Sequence, residues 1–440
     1  MQVNHVTAFL LALIPLVVFH ELGHFVMAKI GGIHVYKFCI GFGKKLFGFT
    51  YRGTEYCWNL LPLGGYVDFM GELVYTGDIP KDVTHFYNRP KLIRFLVLVM
   101  GPMFNLILAF VIFWGIHTVT PAKEYIYIGE PYTVGVLAEN TPEGAAGLMP
   151  GDRILNYNGE PITDWNQMDL LVQFSPDKEV VMQVERGGEK LNITYTVPAH
   201  KQGYGIQGFY PDMRIQVRRT VKDSPAAKAG LLAGDLVLAV NDIPITYYTS
   251  KQIGEQLAAN SLGAASFKVL RAGEQLDLVI TPYEKEDPET KEKRWVIGME
   301  YEHEHTSRKL NVLEALPFAW ATFLDQSTTL FKAVKSLVTG DLPMSMLSGP
   351  VGIAQVAKDA MAMGMLTFFS LLAFLSLNLG IMNLLPIPVL DGGEIFVLLV
   401  EGITGQNFSL DTKIRIKMVG LFFLVLLMAF VFISDIFKLF

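Results

Sequence analysis

Two histidines and a glutamate lie close together near the start of the chain, in the pattern His20-Glu21-Leu22-Gly23-His24. Residues four apart share one face of a helix, so both imidazoles can point at one ion. Neutral imidazole nitrogen suits Zn²⁺, and a catalytic zinc takes a third protein ligand and leaves a fourth position for water. Glu21 would be the base for that water. The pattern predicts a hydrolytic zinc site; the alternative is two core histidines paired with a carboxylate.

The apolar residues that must carry this site are concentrated in runs. The chain has 440 residues, of which 51% are hydrophobic and 18% charged, and no charged residue occurs in 95–116, 360–390 or 418–434. Such runs are long enough, or nearly so, for a hydrocarbon core of about 30 Å. A shorter run over 6–19 leads into the histidine cluster, and a signal peptide is the alternative reading of it. We predict four membrane spans, over 1–30, 92–118, 360–391 and 416–437.

Charge and cysteine content exclude two classes of protein. The formal net charge is −6, which provides no basic surface for nucleic acid. Only Cys39 and Cys57 are present, so a disulfide-stapled secreted scaffold and a cysteine-based metal site are both excluded.

Basic residues predict the orientation of the spans, because Lys and Arg favour cytoplasmic loops. The segment 31–91 is rich in both, whereas residues 1–5 have neither. The loop between spans three and four contains Lys413, Arg415 and Lys417, which agrees. We expect both termini and the long segment between spans two and three to lie outside.

A third metal ligand is predicted at Asp391, directly after the long charge-free run. His20 lies about 14 residues, or roughly 21 Å, into span one, in the cytoplasmic part of the bilayer. Span three enters from the outer side and brings Asp391 to the same depth. Pro386 and Pro388 prevent a regular helix there, and irregular backbone is tolerated at membrane depth where it lines a cavity. The alternative is that Asp391 only caps a helix or turn at the membrane surface.

The outer segment contains an internal repeat, in which residues 141–158 recur as residues 224–241. Each copy predicts a short helix, a tight turn and a buried strand. Thr141 and Ser224 each precede Pro and would cap the helix, and Gly147 and Gly230 would end it.

This repeat resembles the PDZ fold, whose members commonly show Ala-Gly-Leu-x-x-Gly-Asp-x-Ile-Leu-x-x-Asn-Gly. The second copy has Asp242 where the first has Gly159. The resemblance implies two tandem PDZ domains, over 125–212 and 213–302. The fold class is therefore expected to be a polytopic α-helical membrane protein of four spans with two inserted α+β domains. PDZ domains bind extended peptides at a sheet edge; the alternative is that these domains only restrict access by size.

Apolar residues at helical spacing also predict an amphipathic helix over 309–340. Trp320, Phe323, Leu330 and Phe331 lie on its apolar face. We expect it to lie on the outer leaflet, and packing on a PDZ domain is the alternative.

Three motifs together resemble the site-2 protease family of intramembrane zinc metalloproteases. They are His20-Glu21-Leu22-Gly23-His24, Gly101-Pro102-x-x-Asn105 in span two, and Asn383-x-x-Pro386-x-Pro388-x-Leu390-Asp391-Gly392. The PDZ-like repeat between spans two and three narrows the match to a bacterial branch, and the resemblance covers nearly the whole chain. Many relatives have His directly after Leu-Asp-Gly-Gly, whereas this chain has Glu394. Any role of that histidine therefore cannot be transferred.

The resemblance implies zinc bound by His20, His24 and Asp391, with Glu21 as catalytic base and acid. It also implies a hairpin-like element within 31–91 that dips into the membrane, which 38–43 fits, although a surface turn explains its glycines almost as well. The residues expected to contact substrate are Asn378, Asn383, Pro386, Pro388, Gly41 and Gly43.

The implied substrates are single-span membrane proteins already shortened outside by another protease, such as anti-sigma factors, with remnant signal peptides as a further class. The implied location is the bacterial inner membrane, with periplasmic PDZ domains and the active site toward the cytoplasm. Two rivals remain at this point: a membrane-anchored PDZ scaffold without activity, and a metal-ion transporter that uses the same His and Asp residues.

Overall fold

A computed structural model describes residues 4–69, 83–128, 131–200, 203–246, 253–254, 257, 263–286, 293–343 and 347–437. The chain forms two compact units. The helical unit comprises Met1–Thr120, Lys309–Lys335 and Met344–Phe440, and the sheet unit comprises Pro121–Arg308 and Ser336–Pro343.

The chain enters the sheet unit after Thr120, returns to the helical unit at Lys309, and adds Ser336–Pro343 to the sheet unit. The described helices are α1 (His5–Ile30), α2 (Lys91–Val119), α3 (Pro142–Ala145), α4 (Trp165–Gln173), α5 (Pro225–Lys228), α6 (Ala315–Thr339), α7 (Pro350–Met363), α8 (Met365–Leu384), α9 (Asp391–Thr404) and α10 (Leu410–Phe437). The described strands are β1 (Lys37–Tyr51), β2 (Thr54–Asp68), β3 (Ala122–Tyr125), β4 (Val134–Leu137), β5 (Arg153–Tyr157), β6 (Glu160–Pro161), β7 (Glu179–Arg186), β8 (Glu189–Thr196), β9 (Phe209–Pro211), β10 (Ile215–Thr220), β11 (Leu236–Val240), β12 (Ile243–Pro244), β13 (Ala265–Arg271), β14 (Glu274–Ile280), β15 (Tyr283–Glu286), β16 (Lys293–Val296), β17 (Met299–His303) and β18 (His305–Arg308).

Four helices of the described chain are long and apolar enough to cross a membrane. They are α1, α2, α8 and the Asp411–Asp435 part of α10. Together with the sheet unit, they make this a polytopic membrane protein with β domains. Asn4 caps the start of α1, since its side chain accepts a hydrogen bond from the Thr7 amide at 2.8 Å, and the helix extends through the whole histidine cluster.

The predicted span over 360–391 is not one helix. It includes the end of α7, all of α8 and the turn before α9. Gly364 separates α7 from α8 with φ of +124°, a backbone conformation that glycine tolerates. Pro386 and Pro388 keep the backbone after Leu384 from continuing as a helix.

β1 and β2 form a folded-over sheet after α1. Residues 37–40 pair with 55–58 on one side and with 65–68 on the other, so the second half of β2 is an edge strand. Cys39 and Cys57 are cross-strand neighbours joined by a disulfide. Gly41 and Gly43 lie where β1 changes register, with φ of +86° and +85°.

α6 covers most of the predicted amphipathic helix and packs on α2. Ala319 is fully buried in a cluster with Ala109 and Phe113 of α2. Thr322 hydrogen-bonds His117 at 2.8 Å. The end of α6 belongs to the segment Ser336–Pro343 of the sheet unit. The position of α6 on a lipid leaflet and the alternative of packing on a PDZ domain both stay predictions.

The sheet unit repeats the arrangement predicted from the sequence. In the first copy β5 pairs with β6 and β7, and in the second β11 pairs with β12 and β13. Thr141 accepts a hydrogen bond from the Gly144 amide and Ser224 accepts one from the Ala227 amide, which confirms the two predicted caps.

A buried aspartate organises the turn in each copy. In the first, Arg186 donates through Nε and Nη2 to Asp152 at 2.6 and 2.7 Å, and through Nη2 to the Gly147 carbonyl at 2.7 Å. The second oxygen of Asp152 also accepts from the Met149 amide at 2.9 Å. Asp152 is fully buried.

The second copy reproduces these contacts. Arg271 bonds Asp235 at 2.7 and 2.6 Å and the Gly230 carbonyl at 2.7 Å, while Asp235 accepts from the Leu232 amide at 2.9 Å. The repeated Gly-Asp pair is therefore a structural feature that ties helix end, turn and strand together.

Asp152→Asn should weaken the first copy, because the NH2 group that replaces one carboxylate oxygen cannot accept from Arg186 and the negative charge paired with the guanidinium is lost. We expect a loss of about 2 kcal/mol in the free energy of opening and exchange of the β7 amides about 30-fold faster. Hydrogen–deuterium exchange of the full-length protein measures this. The control is Glu300→Gln, which removes an exposed partner of Arg219 and should leave exchange in β7 unchanged. Equal exchange in both variants would contradict the role assigned to Asp152.

Candidate metal centre

Three side chains predicted as metal ligands meet inside the helical unit. His20 and His24 come from α1 and Asp391 from the first position of α9. Their potential ligand atoms all lie within 4.8 Å of one another. Nε2 of His20 is 3.1 Å from Oδ2 of Asp391, Nε2 of His24 is 3.4 Å from it, and the two Nε2 atoms are 3.2 Å apart.

Two glycines allow α1 and α2 to approach closely enough to form this site. A Cβ on Gly23 would lie 2.1 Å from the Met100 carbonyl oxygen. A Cβ on Gly101 would lie 2.2 Å from Nε2 of His24. The imidazole of His24 therefore occupies the space that any larger residue at 101 would fill.

Hydrogen bonds from α2 orient both imidazoles. Nδ1 of His24 lies 2.8 Å from the Val97 carbonyl, which can only accept, so Nδ1 carries the proton and Nε2 has a free lone pair. Asn105 lies with its amide nitrogen 3.3 Å from Nδ1 of His20, and its Oδ1 is buried without a donor. With the amide turned over, Oδ1 accepts from Nδ1–H and leaves Nε2 of His20 free as well.

Asp391 reaches the histidines because the chain turns sharply after α8. Ile387 and Leu390 make short-range hydrogen bonds to Leu385 and Ile387 in this turn. Val389 has φ of +85°, which β-branched residues strongly avoid, so the surrounding packing must hold it there.

The donor set fits a divalent metal ion. Oδ2 of Asp391 is buried and has no hydrogen-bond donor, although it faces Nε2 of both histidines. Lone pairs that converge in this way repel one another unless a cation lies between them. Two imidazole nitrogens and one carboxylate oxygen are a ligand set typical of catalytic zinc.

Glu21 lies between the face of α1 that carries His20 and His24 and the edge strand of β2. Its carboxylate interacts electrostatically with His20, His24 and Asp391, and with the backbone of Val67. A Cβ on Gly65 would be 3.2 Å from Cγ of Glu21. The strand segment at the site is therefore 65–67, which the sequence motifs did not single out.

The other predicted site residues lie in three places. Asn378 is on α8 and lines an apolar cavity of about 830 Å³, whose walls also include Leu16 of α1 and Phe432 of α10. Asn383, Pro386 and Pro388 are at the end of α8 and in the turn that follows.

The predicted glycines belong to the folded-over sheet. The carbonyl of Gly41 accepts from the buried Asn59 side chain at 2.9 Å, and a Cβ on Gly43 would meet no atom within 4 Å. In the described part of the chain, neither glycine hydrogen-bonds His20, His24 or Asp391. Two residues that the sequence did not indicate support the site: the Val97 carbonyl accepts from Nδ1 of His24 at 2.8 Å, and Ser376 donates to the backbone carbonyl of Asn105 at 2.8 Å.

A buried two-histidine, one-carboxylate site with an adjacent glutamate, in a protein with four candidate membrane helices, is typical of a membrane-embedded metallohydrolase. The model of peptidase family M50 matches residues 8–427 of the chain, which therefore belongs to this family.

Curated relatives agree over nearly the full length. The chain is 31% identical to the regulator of sigma E protease of Haemophilus influenzae over 98% of both chains. It is 30% identical to the regulator of sigma-E protease RseP of Escherichia coli K12 over 97% of both. It is 31% identical to a protein of Neisseria meningitidis named as a candidate zinc metalloprotease, again over 98% of both. The protein is a zinc metalloprotease, and its cofactor is Zn²⁺.

Gly101→Ala should remove zinc from the purified protein, because the added methyl group takes the place of the His24 ring. We expect a zinc content of about a tenth of the wild-type value or less, measured by elemental analysis. Gly115→Ala is the matched control in the same helix, since its Cβ would meet no atom within 4 Å. Full zinc content in Gly101→Ala would show that the His24 ring does not need the space that Gly101 leaves.

Proposed function

We propose that this protein hydrolyses a peptide bond within the transmembrane segment of single-span membrane proteins that another protease has already shortened outside. The observation that carries the proposal is the convergence of two imidazoles and the unpaired Asp391 oxygen within the helical unit. The names of the relatives, regulators of sigma-E proteases, support anti-sigma factors as one class of substrate. Remnant signal peptides are a second class with the same single-span form.

In this proposal His20, His24 and Asp391 hold the zinc ion. When bound, zinc acts as a Lewis acid and makes a coordinated water acidic enough to react near neutral pH. Val97 and Asn105 keep the histidine lone pairs directed at the ion, as their hydrogen bonds indicate.

Glu21 is the proposed proton carrier. It takes a proton from the attacking water and returns it to the leaving amine, since these two transfers need one group with access to both atoms. Its place beside both histidines and the edge strand 65–67 supports this role.

The substrate must be unwound, because a helix hides its carbonyls in its own hydrogen bonds. An extended segment laid along 65–67 would exchange those bonds for bonds to an edge strand. Asn378 lines the apolar cavity. The side-chain amides of Asn378 and Asn383 make no hydrogen bond among the described residues. Both amides are therefore available to an unwound backbone.

We further propose that the sheet unit consists of two PDZ domains that restrict access. In the first domain, backbone amides of the loop before β9 are already hydrogen-bonded to other parts of the domain. The Gly205 amide donates to the Gln173 carbonyl at 3.0 Å, and the Gly208 amide donates to the buried Glu143 carboxylate at 3.2 Å. The Gln207 side chain also donates to Asp169 of α4. These contacts favour exclusion by size over peptide capture for this domain.

The proposed location is the bacterial inner membrane, with the sheet unit in the periplasm. The apolar helices and the named relatives support the membrane, and the distribution of Lys and Arg supports the orientation.

Glu21→Gln tests the activity. We expect cleavage of a tagged, externally truncated single-span substrate to fall by at least about 100-fold, because the proton carrier is lost, while zinc content stays at the wild-type level. Purified protein in detergent, with and without a zinc chelator, is the material to compare. Zinc-loaded wild-type protein that cleaves none of several truncated substrates would instead support the scaffold alternative.

Removal of most of the sheet unit tests the filter, that is, the proposal that this unit restricts substrate access. Tyr125 and His305 are paired neighbours on β3 and β18, so deletion of 126–304 with a short glycine linker leaves closely spaced ends. We expect the deletion protein to cleave an untruncated substrate that the full chain rejects. The same deletion with Glu21→Gln shows whether this cleavage uses the same site, and continued rejection by the active deletion protein would disprove the filter.

A further inference from the structure

Two ion pairs join α9, the helix that begins with Asp391, to α10. Oε1 of Glu394 lies 2.6 Å from Nζ of Lys417, and Oε1 of Glu401 lies 2.7 Å from Nζ of Lys413. The earlier glutamate pairs with the later lysine, so the two successive helices run antiparallel.

Beyond the ion pairs, α10 also makes a close contact with the backbone of the turn before Asp391. A Cβ on Gly420 would lie 2.3 Å from Cβ and 2.7 Å from the carbonyl oxygen of Pro388. α10 therefore touches the chain just before Asp391 at Gly420 and just after it at Lys417.

The first turn of α9 is also packed tightly against the preceding turn. A Cβ on Gly392 would lie 2.1 Å from the Leu385 carbonyl oxygen, and one on Gly393 would lie 2.4 Å from that of Ile387. The turn from 385 to 394 is a single packed piece with Asp391 inside it. A shift of Glu394 toward or away from Lys417 must therefore move Asp391 relative to the histidines.

The charge of Lys417 favours one position of the Glu394 side chain. The Glu394 side chain is only 18% exposed, so it favours the place where Lys417 neutralises it. The Glu401 carboxylate is fully buried, but it is two turns farther along α9 and also accepts from the Phe408 amide at 2.8 Å. That pair joins the end of α9 to the start of α10 and does not adjoin the metal centre.

We propose that Glu394 and Lys417 are positioning residues for Asp391, and that their ion pair sets the distance of the Asp391 carboxylate from the two histidines. This rests on the zinc ligation proposed above. The pair touches neither substrate nor metal and acts only through the first turn of α9.

Zinc retention in full-length protein is the first measurement. Lys417→Gln and Glu394→Gln should each make zinc about 10-fold easier to remove in a chelator titration. The exchange Glu394→Lys with Lys417→Glu should restore most of the loss, because the pair is rebuilt with its charges reversed. Lys413→Gln is the matched control, and the midpoint of thermal unfolding is recorded for every variant.

A spectroscopic measurement separates positioning from general weakening. Co²⁺ in place of zinc gives a visible absorption spectrum that depends on ligand geometry. We expect Lys417→Gln to change this spectrum and Lys413→Gln to leave it as in the wild type, even where Lys413→Gln lowers the unfolding midpoint more.

Three outcomes would overturn the proposal: wild-type zinc retention in both Glu394→Gln and Lys417→Gln, an equal loss in Lys413→Gln, or an exchange variant no better than the single ones. Asp391→Ala keeps this result separate from the ligand assignment. If Asp391→Ala retains zinc as the wild type does, the ligation proposal fails. If it loses zinc and the pair variants do not, only the positioning role fails. If Glu394→Gln does not fold, Lys417→Gln tests the same pair.

Discussion

The close approach of α1 and α2 is the constraint on which the rest of the site depends. At Gly23 and Gly101 the two helices leave no room for a Cβ, and the imidazole of His24 fills the space above Gly101. This contact brings the Val97 carbonyl and the Asn105 amide within reach of the two histidines. α1 thus supplies the two histidines and α2 the hydrogen-bond partners that orient them, which buried polar groups need.

The second half of the site depends on a helix that is interrupted. α8 ends at Leu384, and the turn to Asp391 exposes backbone that a continuous helix would have satisfied internally. Glycines at 392 and 393 allow this turn to fold back on itself, and Gly420 of α10 supports it from the other side. A carboxylate on so short a segment is placed by its neighbours, and the positioning role proposed for the Glu394–Lys417 ion pair rests on this.

Several features were predictable because they are local in sequence. The spacing of His20 and His24, the four apolar runs, the repeat with its Thr141 and Ser224 caps, and the break at Pro386 all follow from patterns within a few turns of chain. Asn105 was indicated only through resemblance to a family. Partners distant in sequence were not predictable: Arg186 is 34 residues from Asp152, and Ser376 is 271 from Asn105.

The sequence by itself determined that two histidines and an aspartate of the types that bind zinc lie in or next to apolar segments, and that a repeated sheet-rich insertion separates them, because each of these depends on residue type and short-range periodicity. Only the tertiary structure decided that segment 65–67, rather than the glycines at 41 and 43, adjoins Glu21, since the pairing of one strand with both halves of another is a long-range choice. It likewise decided that Glu394 faces Lys417. No local pattern specifies which charges meet when two helices pack, because that depends on the angle and register of their contact.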